Sequence, residues 1–151
     1  MHQADINYSQ INNYIYLGTN ACCQLQFDRK LLSKGIRANI SLEDERLDQP
    51  RGVDYSLWLP VIDDQSPSQA QLAVGTEFMK ELVAHKIKIF VHCKLGHGRS
   101  PTLIIAYFIA QGMTLKAAHD YVKARRSEIH LTKAQIAGLK KFAKQYQKLR
   151  R

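Results

Sequence analysis

The segment from Phe90 to Phe108, FVHCKLGHGRSPTLIIAYF, constrains the fold of this chain more than any other part of the sequence. Its beginning is typical of a buried strand, and the nearly all-apolar stretch after Arg99 is typical of a helix enclosed by other elements. Between Cys93 and Arg99 lies a short loop that contains Gly96 and Gly98. A strand, a tight loop and a helix in this order predict a ligand site at the carboxyl end of the strand.

The rest of the chain alternates predicted strands with predicted helices. Strands are predicted over residues 14–19, 36–42, 53–61 and 88–92, and the apolar face of the third is formed by Val53, Tyr55, Leu57 and Leu59. Helices are predicted over 21–33 before Gly35, from a cap at Ser66 with Pro67 in the first turn to His85, over about 99–111 before Gly112, and after caps at Thr114 and Thr132. This pattern predicts an α/β fold with a central, mostly parallel sheet of about four to five strands flanked by helices.

The loop between Cys93 and Arg99 has the composition of an anion cradle. Gly96 and Gly98 tolerate positive φ and allow a ligand to approach the backbone closely. Backbone N–H groups and the amino terminus of the following helix then favour a bound phosphate. Arg99 can pair with two phosphate oxygens, while the same positive field favours the thiolate of Cys93 as a nucleophile. Ser100 can donate a hydrogen bond to the sulfur.

Other phosphate-binding and metal-binding motifs fit this segment poorly. A nucleoside-triphosphate loop requires Gly-Lys-Ser/Thr, where this chain has Gly-Arg-Ser, and a dinucleotide fingerprint requires a third glycine, where this chain has Pro101. His92, Cys93 and His97 have no recognised zinc spacing and no fourth ligand, so no metal and no cofactor is predicted. A buried cysteine in a structural turn remains the simplest alternative.

The string HCKLGHGRS resembles the His-Cys-x5-Arg-Ser/Thr signature of cysteine-dependent protein phosphatases, and the surrounding pattern resembles their compact dual-specificity branch. IYLGT, IRANISLEDE, LPVIDD and RRSEIHLTKAQIAGLKKF extend the likeness over nearly the whole chain. The resemblance implies a phosphocysteine mechanism in which Cys93 is the nucleophile, Arg99 binds phosphate and Ser100 assists release of the thiolate. It also implies that His92 orders the loop, and that the loop residues Lys94, Leu95, Gly96, His97, Gly98 and Arg99 surround the phosphate.

A general acid is expected at the end of the strand that precedes this segment. Hydrolysis of a phosphate monoester needs a group that protonates the leaving oxygen and later takes a proton from water. In the resembled family the acid commonly falls three residues after a proline, which here is Pro60 and selects Asp63. Asp64 is the alternative general acid, although an aspartate before Ser-Pro also suits a turn.

The substrate class stays open at this stage. The compact length leaves little sequence for a deep phosphotyrosine pocket, so a permissive site for phosphotyrosine and also phosphoserine or phosphothreonine proteins is expected. Lys94 and His97 are similar in position to basic loop residues of phosphoinositide phosphatases, which favours a phosphoinositide or an RNA 5′ phosphate instead; alternatively both side chains face solvent. A phosphate-binding module without turnover is the third hypothesis.

The positive charge of the chain lies at its carboxyl end. Residues 123–151 contain ten Lys and Arg against one acid, which accounts for the whole formal net charge of +9. In the predicted last helix Ile136, Leu139, Phe142, Tyr146 and Leu149 form one apolar stripe, so the lysines face outwards. Such a face is a candidate contact for an anionic membrane surface, phosphoinositides or RNA.

Length and cysteine content predict one intracellular domain. The 151 residues are expected to form a single catalytic domain over 1–151, with a cytoplasmic, soluble location and no transmembrane segment. Three cysteines, two of them adjacent at Cys22 and Cys23, are a poor disulfide framework. We therefore expect a reducing compartment and expect both neighbours to pack in a helix.

Overall fold

The structure is a computed structural model that describes residues 6–149, apart from the side chains of residues 148 and 149. Its strands are β1 (Tyr8–Gln10), β2 (Ile15–Gly18), β3 (Ile36–Glu43), β4 (Tyr55–Val61) and β5 (Lys88–His92). Its helices are α1 (Arg29–Ser33), α2 (Gln69–Ala84), α3 (Arg99–Ala110), α4 (Leu115–Arg125) and α5 (Lys133–Leu149).

The five strands form one sheet in the order β1-β2-β5-β3-β4. All neighbours pair in parallel except β1, which is antiparallel to β2 at the edge. Because β5 lies in the middle, its carboxyl end is flanked by the ends of β2 and β3. This confirms the predicted α/β fold, and it puts the segment after β5 at the centre of one sheet edge.

Different elements pack on the two faces of the sheet. Helices α2 to α5 pack on one face, where Ile89 and Val91 of β5 contribute to the main core. Phe90 points to the other face, where a smaller core contains Phe27 and Leu31. Since side chains alternate along a strand, β5 presents consecutive residues to two different environments.

Helix α3 is buried along nearly its whole length. Its residues from Arg99 to Ile109 are all inaccessible or almost so, as the sequence predicted for an enclosed helix. Gly112 follows its end with φ 113°. The buried helix fixes the far side of the loop that begins at Cys93.

Two predicted helix starts are wrong. Residues 21–33 do not form one helix: a single 3-10 turn ends at Cys22, Cys23 bridges to Phe27, and Asp28 caps the new helix α1 through its side chain. Helix α2 is capped by Ser68 and not by Ser66, because Ser68 and Gln71 form a reciprocal capping box. The remaining caps, at Thr114 and Thr132, accept hydrogen bonds from the backbone as predicted.

The structure also corrects the prediction for the two adjacent cysteines. Cys22 and Cys23 do not pack in a helix; they are joined by a disulfide bond and are fully buried. The backbone leaves helical geometry at Cys23, which has φ −137° and ψ 42°, and both side chains therefore enter the same small core.

The apolar patterns of β4 and α5 are partly as predicted. In β4, Leu59 and Val61 are buried and Leu57 packs against the main core, whereas Tyr55 is exposed. In α5, Leu139 and Phe142 are buried and Tyr146 packs beside them, whereas Ile136 is 38% exposed. The predicted contribution of the Leu149 side chain lies outside the described residues.

Candidate active site

Cys93 is the first residue after β5, and its side chain is buried in the main core. Its Sγ lies 3.1 Å from Oγ of Ser100, a fully buried residue in the first turn of α3. The strand positions the sulfur and the helix positions the hydroxyl. This pair can share a hydrogen bond, in which the hydroxyl is the donor whenever the sulfur is ionised.

The glycines of the loop are required by the space around them. Gly96 has φ 74°, and a Cβ there would lie 2.7 Å from the carbonyl oxygen of Gly18. At Gly98 a Cβ would lie 2.8 Å from Oε1 of Gln135. Gly98 also precedes α3 without any side-chain cap, so N–H groups of the first helical turn are left for another acceptor.

Arg126 supports the loop from below, and the sequence reasoning missed it. It is 1% exposed, and its guanidinium donates to the carbonyl oxygens of Gly96 and Leu95 at 3.0 and 3.1 Å. In a trans peptide the N–H points opposite to the C=O. Arg126 therefore holds two peptide planes so that the N–H groups of Gly96 and His97 point away from it. Its other end reaches Asn7 and Ser9.

The guanidinium of Arg99 is buried and anchored along one side. Nη1 donates to Oε1 of Glu45 at 2.8 Å and to the carbonyl oxygen of Val61 at 2.7 Å. Burial alone would lower the pKa of Arg99, but its hydrogen bond to Glu45 helps to raise the pKa above the ordinary arginine value. Nε has no hydrogen-bond partner within residues 6–149. The edge of the fork that carries Nε makes no hydrogen bond there and has only a 3.6 Å ion pair with Asp63, so this free edge can receive an oxyanion.

The two candidate acids directly follow β4 but differ in environment. Oδ1 of Asp63 lies 3.6 Å from Nε of Arg99, and the Asp63 side chain is 70% exposed. Asp64 has φ 68°, and its N–H donates to Oδ1 of Asp63. Both aspartates border the same cavity as Cys93 and Arg99. Both aspartates lie in a turn in which the N–H of Gln65 donates to the carbonyl oxygen of Ile62 at 3.0 Å. The side chain that accepts a hydrogen bond within this turn is that of Asp63, whereas the sequence suggested this role for Asp64.

The start of α5 holds the loop that carries these acids. Oγ1 of Thr132 donates to the carbonyl oxygen of Asp64 at 2.8 Å, and Nε2 of Gln135 donates to that of Gln65 at 3.2 Å. Gln135 is 1% exposed and reaches the site from a distant part of the chain. The acid loop is thus attached to the same helix that closes one wall of the cavity.

The cavity itself has a volume of about 120 Å³ and a partly basic rim. Lys94, Leu95, His97 and Gly98 line it together with His130, whose ring centroid lies 5.2 Å from that of His97. Burial, with a further contribution from the charge of His130, lowers the pKa of His97. Lys94 and Leu95 are exposed. Gly96 is buried and is the one loop residue between Cys93 and Arg99 that does not border the cavity.

His92 points away from the cavity because it precedes Cys93 on the strand. Its Nδ1 lies 3.1 Å from the carbonyl oxygen of Cys93, and its Nε2 lies 2.6 Å from Oδ2 of Asp48. His92 thus contacts the first peptide of the loop, where the resemblance placed it. It also contacts Asp48, a partner that the sequence did not reveal. Asp48 and Glu45 both lie in the acidic segment between β3 and β4, whose composition is that of a surface loop.

Comparison with known proteins gives one family and several relatives. A family model described as dual specificity phosphatase, catalytic domain, matches residues 15–145. Phosphatidylglycerophosphate phosphatase PTPMT1 of Arabidopsis thaliana is 35% identical over 71 residues, which are 46% of this chain and 21% of that protein. Dual specificity protein phosphatase 5 of Homo sapiens is 34% identical over 74 residues, which are 48% of this chain and 19% of that protein. The matches thus span about a fifth of these curated relatives.

A solved structure similar in both fold and length is PTPMT1 in complex with PI(5)P. It has a TM-score of 0.83 and 26% sequence identity, with coverage of 95% of this chain and 99% of that one. Separately, no helix within residues 6–149 has the length and apolar character needed to cross a bilayer.

Proposed function

Because this chain belongs to the family of dual-specificity phosphatase catalytic domains, its domain is a cysteine-dependent phosphatase, and we propose phosphotyrosine, phosphoserine and phosphothreonine proteins as its substrates. The membership confirms the family that the signature residues predicted. The family model covers 15–145, and we propose that the whole chain forms this one catalytic domain.

In the first proposed step the thiolate of Cys93 attacks the phosphorus of a bound monoester. The S–P bond forms as the bond from phosphorus to the leaving oxygen breaks. The free edge of Arg99 holds two of the phosphoryl oxygens, and N–H groups of the loop add further donors. Asp63 gives its proton to the leaving oxygen, so that an alcohol or phenol departs.

In the second proposed step water attacks the phosphocysteine. Asp63, now a carboxylate, takes one proton from this water while the new O–P bond forms and the S–P bond breaks. The hydroxyl of Ser100 donates a hydrogen bond to the departing sulfur, and its position 3.1 Å from Sγ supports this role. The products are inorganic phosphate and the regenerated thiolate. His92 acts through the carbonyl of Cys93 and is a positioning residue.

The convergence of three groups on one cavity carries the proposal. A buried sulfur, the free edge of a guanidinium and a carboxyl that follows β4 all border a cavity of about 120 Å³. The 3.6 Å between Oδ1 of Asp63 and Nε of Arg99 favours Asp63 as the acid. Asp64 remains the alternative, because its side chain borders the same cavity.

The chemistry is tested with a generic aryl phosphate in the presence of a chelator. We expect the wild type to release phosphate and Cys93→Ser to have no turnover. Rapid denaturation of the wild type during turnover should trap phosphate on the protein, and Cys93→Ser should trap none. Turnover by Cys93→Ser would refute the phosphocysteine mechanism, and loss of wild-type activity with chelator would show that a metal takes part. A non-catalytic binding module would bind phosphate analogues without any turnover.

A second candidate substrate class is a phosphoinositide. It is favoured by the rim of the cavity, where Lys94 supplies a cation beside His97 and His130, and by the similarity to PTPMT1, whose structure was solved with PI(5)P. The exposed lysines of α5 would add attraction to an anionic membrane surface. The RNA 5′ phosphate that the sequence left open has no particular support in the site geometry and stays a prediction.

The two classes are separated by kinetic comparison on one preparation of enzyme. Phosphopeptides, soluble short-chain phosphoinositides and 5′-phosphorylated RNA are compared by kcat/KM, with Cys93→Ser as the blank. A preference for phosphopeptides supports the first proposal. A phosphoinositide preference that is lost in Lys94→Gln supports the second and refutes the first.

A further inference from the structure

Four potential metal ligands converge on the sheet face opposite the catalytic cavity. One atom from each of them lies within 4.8 Å of the others. They are Sγ of Cys22, Sγ of Cys23, a carboxylate oxygen of Asp48 and a ring nitrogen of His92. The two cysteines and the histidine are fully buried, and the side chain of Asp48 is 7% exposed. None of the four residues borders the catalytic cavity, and only His92 has a proposed part in the phosphatase mechanism, through the carbonyl of Cys93.

The hydrogen bonds of His92 point to a cation in this cluster. Both of its ring nitrogens face oxygen atoms that are acceptors, the carbonyl of Cys93 and the carboxylate of Asp48. A neutral imidazole has one N–H and can serve only one of them. In addition, Oδ1 of Asp48 is buried with no hydrogen-bond partner in the described part of the chain. Nη2 of Arg46 lies 3.6 Å from that oxygen and partly balances its charge, but Arg46 does not relieve the conflict at His92. A second proton on the ring or a bound metal ion would relieve it.

Reduction of the disulfide changes the chemistry of the cluster. A small dithiol reductant is oxidised to its own disulfide, and the S–S bond between Cys22 and Cys23 receives two electrons and two protons. The result is two thiols beside an imidazole and a carboxylate. Two sulfurs, one nitrogen and one oxygen form a ligand set that zinc accepts in tetrahedral sites.

We propose that the reduced protein binds one zinc ion with these four donor groups. Metal binding expels the protons of both thiols, and Nε2 of His92 binds the ion while its Nδ1–H donates to the carbonyl of Cys93. The acceptor conflict at His92 is thereby resolved. Nδ2 of Asn39 already donates to Oδ2 of Asp48 at 2.8 Å, which orients the carboxylate as an outer partner.

The position of the cluster gives both access and a link to the loop. A cavity of about 440 Å³ borders Cys22 and Phe27. Both cysteines are fully buried, so an ion or a small reductant reaches the sulfurs only when the chain opens locally beside this cavity. His92 and Cys93 are consecutive, and their side chains lie on opposite faces of the sheet. The bound ion would thus fix the peptide that carries the nucleophile without taking part in its chemistry.

The test uses the full chain and Co²⁺ as a spectroscopic substitute for zinc. Protein is reduced with a dithiol, freed of reductant without oxygen and titrated with Co²⁺. We expect thiolate-to-cobalt charge-transfer bands and tetrahedral cobalt bands that saturate at one equivalent and disappear when Zn²⁺ is added. Disulfide-bonded protein should show neither signal. This comparison needs no substitution, so it stays decisive even if a variant fails to fold.

Variants then identify the ligands. Cys93→Ser should keep the cobalt spectrum, because its sulfur is on the other face of the sheet, whereas Cys23→Ser and Asp48→Asn should weaken binding at least tenfold. Absence of thiolate-to-cobalt bands in fully reduced wild type would refute the site, as would their loss in Cys93→Ser. Cobalt bands without charge transfer, equal in oxidised and reduced protein, would indicate surface histidines and also refute it. None of these readouts depends on phosphatase activity.

Discussion

Replacement of Arg126 by methionine should reduce catalysis much more than its distance from the sulfur suggests. The change removes the donors to the carbonyls of Leu95 and Gly96. A buried carbonyl without a donor costs about 1–3 kcal/mol. The carbonyl of Gly96 is buried and that of Leu95 is partly buried, so the loss of both donors costs at most about 2–6 kcal/mol if the loop does not move. The loop can relieve this cost by turning these carbonyls towards water. We therefore expect the free energy of unfolding to fall by about 2–4 kcal/mol.

The same relaxation should carry the catalytic effect. Turning the two peptides also turns the N–H groups of Gly96 and His97. His97 borders the cavity, and its N–H is one of the loop donors proposed for the phosphoryl oxygens. Loss of one such donor from a preorganised site typically costs about a hundredfold or more in kcat. We expect kcat/KM on an aryl phosphate to fall at least about a hundredfold in Arg126→Met. Arg126→Lys keeps a cation but not the forked guanidinium, so its kcat/KM should lie between those of the wild type and Arg126→Met.

The measurement combines urea unfolding with steady-state kinetics at a concentration of urea where each variant is fully folded. Arg37→Met is the matched control, because Arg37 also donates to two backbone carbonyls but is exposed and far from the loop. It should change neither kcat/KM nor, by more than about 0.5 kcal/mol, the unfolding free energy. A folded Arg126→Met enzyme with kcat/KM within about threefold of wild type would refute the peptide-plane argument.

Three further predictions follow from the site and the core. Asp63→Ala should lower kcat far more than it changes binding of a phosphate analogue, and Asp64→Ala should not; the reverse result in kinetics and calorimetry would transfer the acid role to Asp64. Burial lowers the pKa of His97, so this ring is uncharged at neutral pH and gains charge as the pH falls. As the pH is lowered, the KM for a doubly phosphorylated substrate should therefore decrease more than the KM for a singly phosphorylated one. If His97→Asn showed the same difference between the two substrates, this prediction would be contradicted. A Cβ at Gly75 would lie 2.6 Å from Cδ1 of Leu103, so Gly75→Ala should lower the unfolding free energy by about 1–3 kcal/mol in urea, and a more stable variant would contradict the packing.

The features that the sequence predicted well are local along the chain. The strand before Cys93, the loop with its glycines and the buried helix after it occupy consecutive residues, so short-range patterns suffice to predict them. The α/β fold follows from the same alternation. The roles assigned to Cys93, Arg99, Ser100 and Asp63 remain predictions, although these residues border or adjoin one cavity.

The features that were missed depend on contacts between distant residues. Arg126 reaches the loop from the end of α4, and Glu45 reaches Arg99 from an acidic stretch with the composition of a surface loop. Nothing in the local pattern around either residue predicts these contacts. The helix predicted over 21–33 fails because Asp28 caps a new start and the disulfide-bonded pair enters the small core. The hydrophobic periodicity of residues 21–33 gives no sign of this break, because polar and apolar residues are interspersed throughout the segment.

The attachment of the acid loop to α5 has a consequence for selectivity. Thr132 and Gln135 hold the carbonyls of Asp64 and Gln65, so the backbone next to Asp63, the proposed acid, is held in place before any substrate arrives. Enzymes whose acid arrives only upon closure can use that motion to reject poor substrates. A protein whose acid-bearing loop is already held in place cannot reject substrates by such a closing motion. It must discriminate by the shape and charge of the mouth of its active-site cavity. Breadth of substrate choice would then be a direct mechanical result of two hydrogen bonds.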